Sequence, residues 1–343
     1  MMASVMSVLG PIPEDRLGFT LPHEHLFTDL SCYWNGEPQG DTGNVLFRQE
    51  ITLKNRNEVV LNPWSFKDNT VLDDLDSALL ETRAFMQYSG KSIVDCSPCR
   101  EMGRNPQGLW KVSKATGVNV IMAAGRYTLP SMTEKDKSLS VEDLERQFVN
   151  EFLNGVNDSG IKPGFLKVGF VSKIDETAEI RSLRAAGRAQ KKIGCALAVH
   201  PYIWEPVSHL ILDMLEEEGC DLRRVILCHQ DYLGNHTQYL DSLVKRGVYI
   251  EFDTFGCGMI NDRMWQQSDQ EKIAFVKKQI ELNNEECILI SGDMCLKIML
   301  SKWDGIGYVN IPKFVVPAMR AAGLNESAIQ AITISNPQKA FCH

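Results

Sequence analysis

Short apolar runs alternate along the chain with longer stretches of amphipathic, helix-like character. The short runs fall at 18–26, 92–95, 119–124, 163–169, 196–200, 224–229, 248–253 and 287–291, and are predicted as strands. Between them, 73–88, 106–116, 141–154, 176–191, 207–218, 237–246 and 268–282 carry the pattern of helices. Regular strand–helix alternation is the signature of βα units around a parallel sheet. Eight such strands predict an α/β fold in the form of a closed (β/α)8 TIM barrel rather than an open doubly wound sheet. No Gly-rich phosphate fingerprint follows the first strand, which weakens a dinucleotide-binding alternative. At 343 residues the chain is expected to form a single domain, 1–343, with a substantial core.

Two segments break the rhythm. Residues 31–64, rich in Asn, Gly and charge, are too long for an ordinary βα connection and are predicted to run over the face at the carboxyl ends of the strands. Residues 297–311 follow the last strand and contain Trp303-Asp304-Gly305-Ile306-Gly307-Tyr308. Loops on that face build the site in barrel enzymes, so both are expected to shape a substrate pocket. The chain then returns to helix at 312–322, 326–331 and 337–341, the last with Asn336 as N-cap and Pro337 in the first helical position.

The strand ends carry the chemistry. The first holds Pro22-His23-Glu24-His25, and residues two apart in a strand share a face, so both imidazoles can converge on one ion. The fifth and sixth runs end in His200 and His229, and the eighth leads into Asp293. Four of the seven histidines therefore stand at strand ends together with a carboxylate, the ligand types a metal centre needs. Four neutral nitrogens suffice for two ions if an anion bridges them. Lys167 interrupts the apolar run Gly164-Phe165-Leu166-Lys167-Val168-Gly169, where burial is expected to depress its pKa. A free amine can take up carbon dioxide, and the resulting carbamate can hold two cations. Asp293 would ligate one ion and accept the proton of an attacking hydroxide, with Asp231 and Asp253 available to a relay. Tyr127 would cover the leaving-group side or bond the hydroxide, and Arg126 would suit an anionic substituent.

Charge and cysteine narrow the partners. A net charge of −8 and a pI near 5.5 argue against nucleic acid or an anionic membrane surface and favour a small-molecule substrate. Among ten cysteines the one CxxC, Cys96 to Cys99, has no second pair at zinc-ribbon spacing and reads as structural. Residues 1–10 carry neither a basic n-region nor a long apolar stretch, no apolar segment of the sequence approaches roughly 20 residues, and a reducing, cytoplasmic setting is expected.

In chain order, Pro22-His23-Glu24-His25, Ile93-Val94-Asp95, Gly103-Arg104-Asn105-Pro106, Lys167, His200-Pro201, His229, Ser291-Gly292-Asp293 and Gly305-Ile306-Gly307-Tyr308 together resemble the phosphotriesterase family of the amidohydrolase superfamily, in particular its phosphotriesterase-related branch. The resemblance implies a centre of two divalent metal ions, zinc ahead of manganese, cobalt or iron. His23, His25 and Asp293 would hold the more buried ion and His200 and His229 the more exposed one, bridged by N6-carboxylated Lys167 and a hydroxide. Tyr127 and Asp253 resemble the pocket tyrosine and seventh-strand aspartate of family lactonases, and Arg126 and Tyr308 complete the expected substrate contacts. The implied reaction is attack of the bridging hydroxide on a lactone or other carboxylic ester. Amides of N-acyl amino acids or N-acyl taurine come next, then phosphotriesters. Family precedent also suggests a homodimer. The rival expectation is a catalytically silent barrel that binds a ligand through its loops.

Overall fold

Each of the eight predicted runs coincides with a barrel strand, β3, β4 and β5 running one or two residues further than predicted: β1 Thr20–Glu24, β2 Ser92–Asp95, β3 Asn119–Arg126, β4 Phe165–Phe170, β5 Ala196–Pro201, β6 Val225–Leu227, β7 Tyr249–Phe252 and β8 Ile288–Ile290. The computed structural model describes residues 3–35, 48–171, 177–257 and 267–343. Neighbouring strands pair in parallel from β1 through β8. Between β8 and β1 the contact is carried by the His23 N–H, which donates to Ser291 Oγ at 3.1 Å, and by the Asp293 N–H, which donates to the His23 carbonyl at 3.1 Å. The runs read as continuously apolar because both faces are buried. Leu166, Val168 and Phe170 pack outward against helices, while Phe165, Ala123, Ala198, Ile226 and Leu289 fill the lumen.

Helices Leu75–Gln87, Pro106–Thr116, Val141–Asn154, Thr177–Ile193, Ser208–Glu217, Thr237–Val244 and Asp269–Glu281 surround the strands. Several starts are written into the sequence: Asn105 caps the helix opened by Pro106, and Ser140 with Asp143 and Ser268 with Glu271 form capping boxes. Glu176, the predicted start of the fourth, lies outside the described residues. Among the described residues no helix is long and apolar enough to cross a membrane.

Two features depart from expectation. An antiparallel hairpin, Ser4–Ser7 with Gly10–Pro13, lies under the barrel, and its Val5 joins Leu17 and Phe341 in plugging the lumen. The tail is expected to open a new helix at Pro337 behind an Asn336 N-cap. Instead Glu326–Gln330, a wider π-helical turn Ala331–Ser335 and Asn336–Phe341 follow one another with helical dihedrals at each junction. Asn336 is no cap: its Nδ2 donates to the carbonyls of Glu285 at 2.7 Å and Ile288 at 2.8 Å, fastening the tail to β8.

The two long loops meet over the carboxyl ends of the strands. Within 31–64, residues 36–47 lie outside the described residues; the rest includes a turn at Ser31–Tyr33 and a helix at Arg56–Leu61. Arg56 Nε donates to the Trp303 carbonyl at 2.8 Å, Trp303 Nε1 donates to the Ile51 carbonyl at 3.0 Å, and Lys297 pairs with Asp68. Buried Glu81 accepts the backbone N–H groups of Ser301 at 2.6 Å and Tyr308 at 3.2 Å. Gly307 is required there, since it adopts φ +65° and a Cβ would stand 2.0 Å from Glu81 Oε2.

Candidate metal centre

The β1 ladder slips between Leu21 and Glu24, and beyond the slip His23 and His25 reach the barrel mouth together. His25 Nε2 lies 3.2 Å and His23 Nε2 3.8 Å from Asp293 Oδ1, and His23 Nε2 is 3.3 Å from Lys167 Nζ. The His23 and His229 ring centroids are 5.1 Å apart, and those of His229 and His200 4.3 Å. All six side chains expected to hold metal thus gather at one place.

Three imidazoles are anchored from behind. His25 Nδ1 meets Ser97 Oγ at 2.8 Å, and His23 and His229 each direct Nδ1 to an oxygen of Asp253 at 2.7 Å. Such anchoring fixes the tautomer and leaves Nε2 for a cation. His200 differs, with Nδ1 2.9 Å from the Tyr127 hydroxyl. Burial, reinforced by His229 and Lys167, pushes His200 well below its ordinary value, so the ring is neutral near pH 7. Burial acts to raise Asp293, but His23 and His25 outweigh it and hold the carboxylate ionised. His23, His25 and Asp293 form one donor group close enough to share a cation, and His23, Cys228, Glu251 and Asp253 form another. This chemistry of imidazole and carboxylate fits divalent metal.

Lys167 is 1% exposed, and β3 approaches it so closely that a Cβ on Gly125, at φ +150°, would lie 1.9 Å from its carbonyl oxygen. The expected depression of its pKa is not what its surroundings produce. Burial lowers it, but Cys228, Cys96 and Glu251 raise it, and the net direction is upward.

Four other expectations need correction. Arg126 faces away from the mouth: its Nε donates to Asp136 and its Nη2 to Gln147, each at 2.9 Å, because it alternates outward along β3. Tyr308 is buried, and its hydroxyl donates to the His25 carbonyl at 2.8 Å, so it props the backbone at His25 and does not face the mouth. Asp253 is fully buried behind His23 and His229; burial acts to raise it, but the two imidazoles outweigh that and keep it ionised. Asp231 turns to the Thr254 N–H and hydroxyl and is not brought to Asp293; burial and the charge of Asp253 push it up to about 6.

Glu24 was overlooked. From the strand face opposite the two histidines it accepts Ser291 Oγ–H at 2.8 Å and the N–H groups of Gly292 and Met294 at 2.9 Å each, clamping the segment that presents Asp293 at φ +46°. Burial pushes it up to about 7 despite these bonds. An acid alternating with two ligands was the available signal. Ser97, Cys228 and Glu251 were also missed.

A (β/α)8 barrel that gathers imidazoles, a carboxylate and a lysine at the carboxyl ends of its strands defines a metal-dependent hydrolase fold. The chain belongs to the phosphotriesterase family, whose model matches residues 3–341. It is 32% identical over 342 residues to an N-acetyltaurine hydrolase of Xenopus tropicalis, covering 98% of this chain and 97% of the relative. A resiniferatoxin-binding protein from Rhodobacter sphaeroides superposes with a TM-score of 0.93 at 36% identity, covering 98% of this chain and 94% of that one. A lactonase from Listeria monocytogenes shares the fold, with a TM-score of 0.81 at 21% identity and 98% of both chains covered.

Proposed function

We propose that this protein hydrolyses a carboxylic acyl bond of a small molecule, an N-acyl amide first and a lactone or other ester second. The observation that carries the reading is the convergence of His23, His25, Lys167, His200, His229 and Asp293 at one end of the barrel. Two divalent cations held by these residues would supply Lewis acidity and lower the pKa of a shared water toward neutrality.

The side chains do the rest. Asp293, held ionised beside His25, accepts the proton that the attacking water gives up. The Tyr127 hydroxyl, next to His200, donates to an oxygen of the substrate. The sequence alone favoured the ester, partly on a pairing of Tyr127 with Asp253. Asp253 is committed to two imidazoles and cannot serve that pairing, while a relative of matching length from Xenopus tropicalis is named for an amide. Both points favour the amide.

The test is a turnover screen of zinc- and manganese-loaded protein against N-acetyltaurine, N-acyl amino acids, lactones and a dialkyl aryl phosphate. Amide turnover that disappears on chelation and in His200→Asn supports the reading. Full activity in metal-stripped protein would sink it, and metal uptake without turnover of any class would favour a ligand-binding barrel.

A further inference from the structure

An aromatic wall runs from the candidate metal centre to the first long loop. Tyr127, whose hydroxyl meets His200, packs edge-to-face with Tyr33 at a centroid separation of 6.4 Å, and Tyr33 packs edge-to-face with Trp64 at 6.3 Å. All three rings are half-buried and rest on buried Leu30, Cys99 and Met102. Cys295, two residues beyond Asp293, packs on the same cluster from the side of β8. Hydrogen bonds hold the wall in place. The Tyr33 hydroxyl pairs with Thr128 Oγ1, Trp34 Nε1 donates to the Ser65 carbonyl at 2.7 Å, and the Asn35 N–H donates to the Trp64 carbonyl at 3.3 Å. Rings fixed in this way offer apolar area to a ligand at little loss of freedom. None of the three carries a charge, and Arg126, next to Tyr127, faces away. In an N-acyl amino acid or an N-acyl taurine the amine half bears the anion, so the wall suits the acyl half.

We propose that Tyr33 and Trp64 form an acyl-chain subsite, which takes an aliphatic or aryl acyl group larger than acetyl. This rests on the reading of the protein as an acyl-amide hydrolase. The substrate carbonyl lies beside His200 at the Tyr127 hydroxyl, and the chain runs from there along the three rings. Each methylene that reaches them leaves water for an apolar surface, so kcat/KM climbs with acyl length until the chain passes Trp64.

The experiment measures kcat/KM of the zinc-loaded, full-length protein for N-acetyltaurine, N-hexanoyltaurine and N-phenylacetyltaurine in wild type, Tyr33→Phe, Tyr33→Ala and Trp64→Ala. Wild type is expected to favour the two larger acyl groups over acetyl on the order of 10-fold or more. Tyr33→Phe should keep that ratio, and each alanine variant should cut it roughly 3-fold or more. Calorimetric titration with hexanoate reads the same surface without turnover, and its binding should weaken in both alanine variants. A wild type that prefers acetyl, a ratio unmoved by either alanine, or one that rises in Trp64→Ala would overturn the subsite and leave the hydrolase reading standing. A protein that hydrolyses none of the three overturns the subsite and the amide reading together.

Discussion

Asp253→Asn isolates the anchoring of the histidines proposed to hold metal. The carboxylate accepts from His23 Nδ1 and His229 Nδ1 at 2.7 Å each, and an amide of the same shape offers one oxygen for the two rings. The ring left facing NH2 either loses its anchor or shifts its proton to Nε2, the atom meant for the cation. His23 has a second acceptor in Glu251 at 3.1 Å, whereas Asp253 is the acceptor at His229 Nδ1, so the loss should fall on His229 and the more exposed ion. A charge-assisted hydrogen bond is worth about 1.5–3 kcal/mol. Loss of an outer partner of a ligating histidine costs roughly 10–100-fold in metal affinity, or about 1.4–2.7 kcal/mol, and the two figures agree. Competition titration against a chromophoric chelator, fitted to two sites, should show one weakened ion and one near wild type, with the circular dichroism spectrum preserved. Two ions bound with wild-type affinities would refute the anchoring argument.

Three further outcomes are expected. Gly307→Ala forces a Cβ to within 2.0 Å of Glu81 Oε2 at φ +65°, and should lower unfolding stability by roughly 1–3 kcal/mol in urea titration; an unchanged midpoint would mean that the loop yields. Arg104→Met leaves Glu151 without the two 2.8 Å contacts to a buried guanidinium and should cost about 3–5 kcal/mol, with metal content per folded chain unchanged. Glu24 titrates at 4.5 ordinarily and at about 7 in the fold, so the folded, metal-free chain holds the proton more tightly than the unfolded one. Its stability should therefore fall as pH rises through that window, and Glu24→Gln should flatten the slope; identical pH profiles for the two proteins would count against it.

The barrel strands were readable because parallel strands buried on both faces leave uninterrupted apolar runs, and the candidate ligands because the histidines and Asp293 stand at or just past the ends of such runs and Lys167 interrupts one. Orientation was readable too: Arg126 follows inward-facing Gly125 by one residue, and strand alternation alone sends it outward. Depth was not. Asp253 and Glu251 lie on the same inward row of β7, and only the closed barrel shows that both sit behind the imidazoles. The surroundings of Lys167 come from β2, β6 and β7, far away in the chain, so burial was visible in the run around it while the neighbouring thiols were not. The short hairpin Ser4–Ser7 with Gly10–Pro13 lacked any periodicity long enough to register, and Pro337, which reads as the first residue of a new helix, hid the continuity of the two tail helices through Ala331–Ser335.

The cross-bracing of the two long loops bears on how far either can change alone. Arg56 and Trp303 tie the segments together across more than two hundred positions of sequence, and Lys297 pairs with Asp68 just past the first of them. Exchange of either segment alone for a cousin's removes a side-chain donor and leaves a carbonyl of the other bare, so the two behave as a matched set.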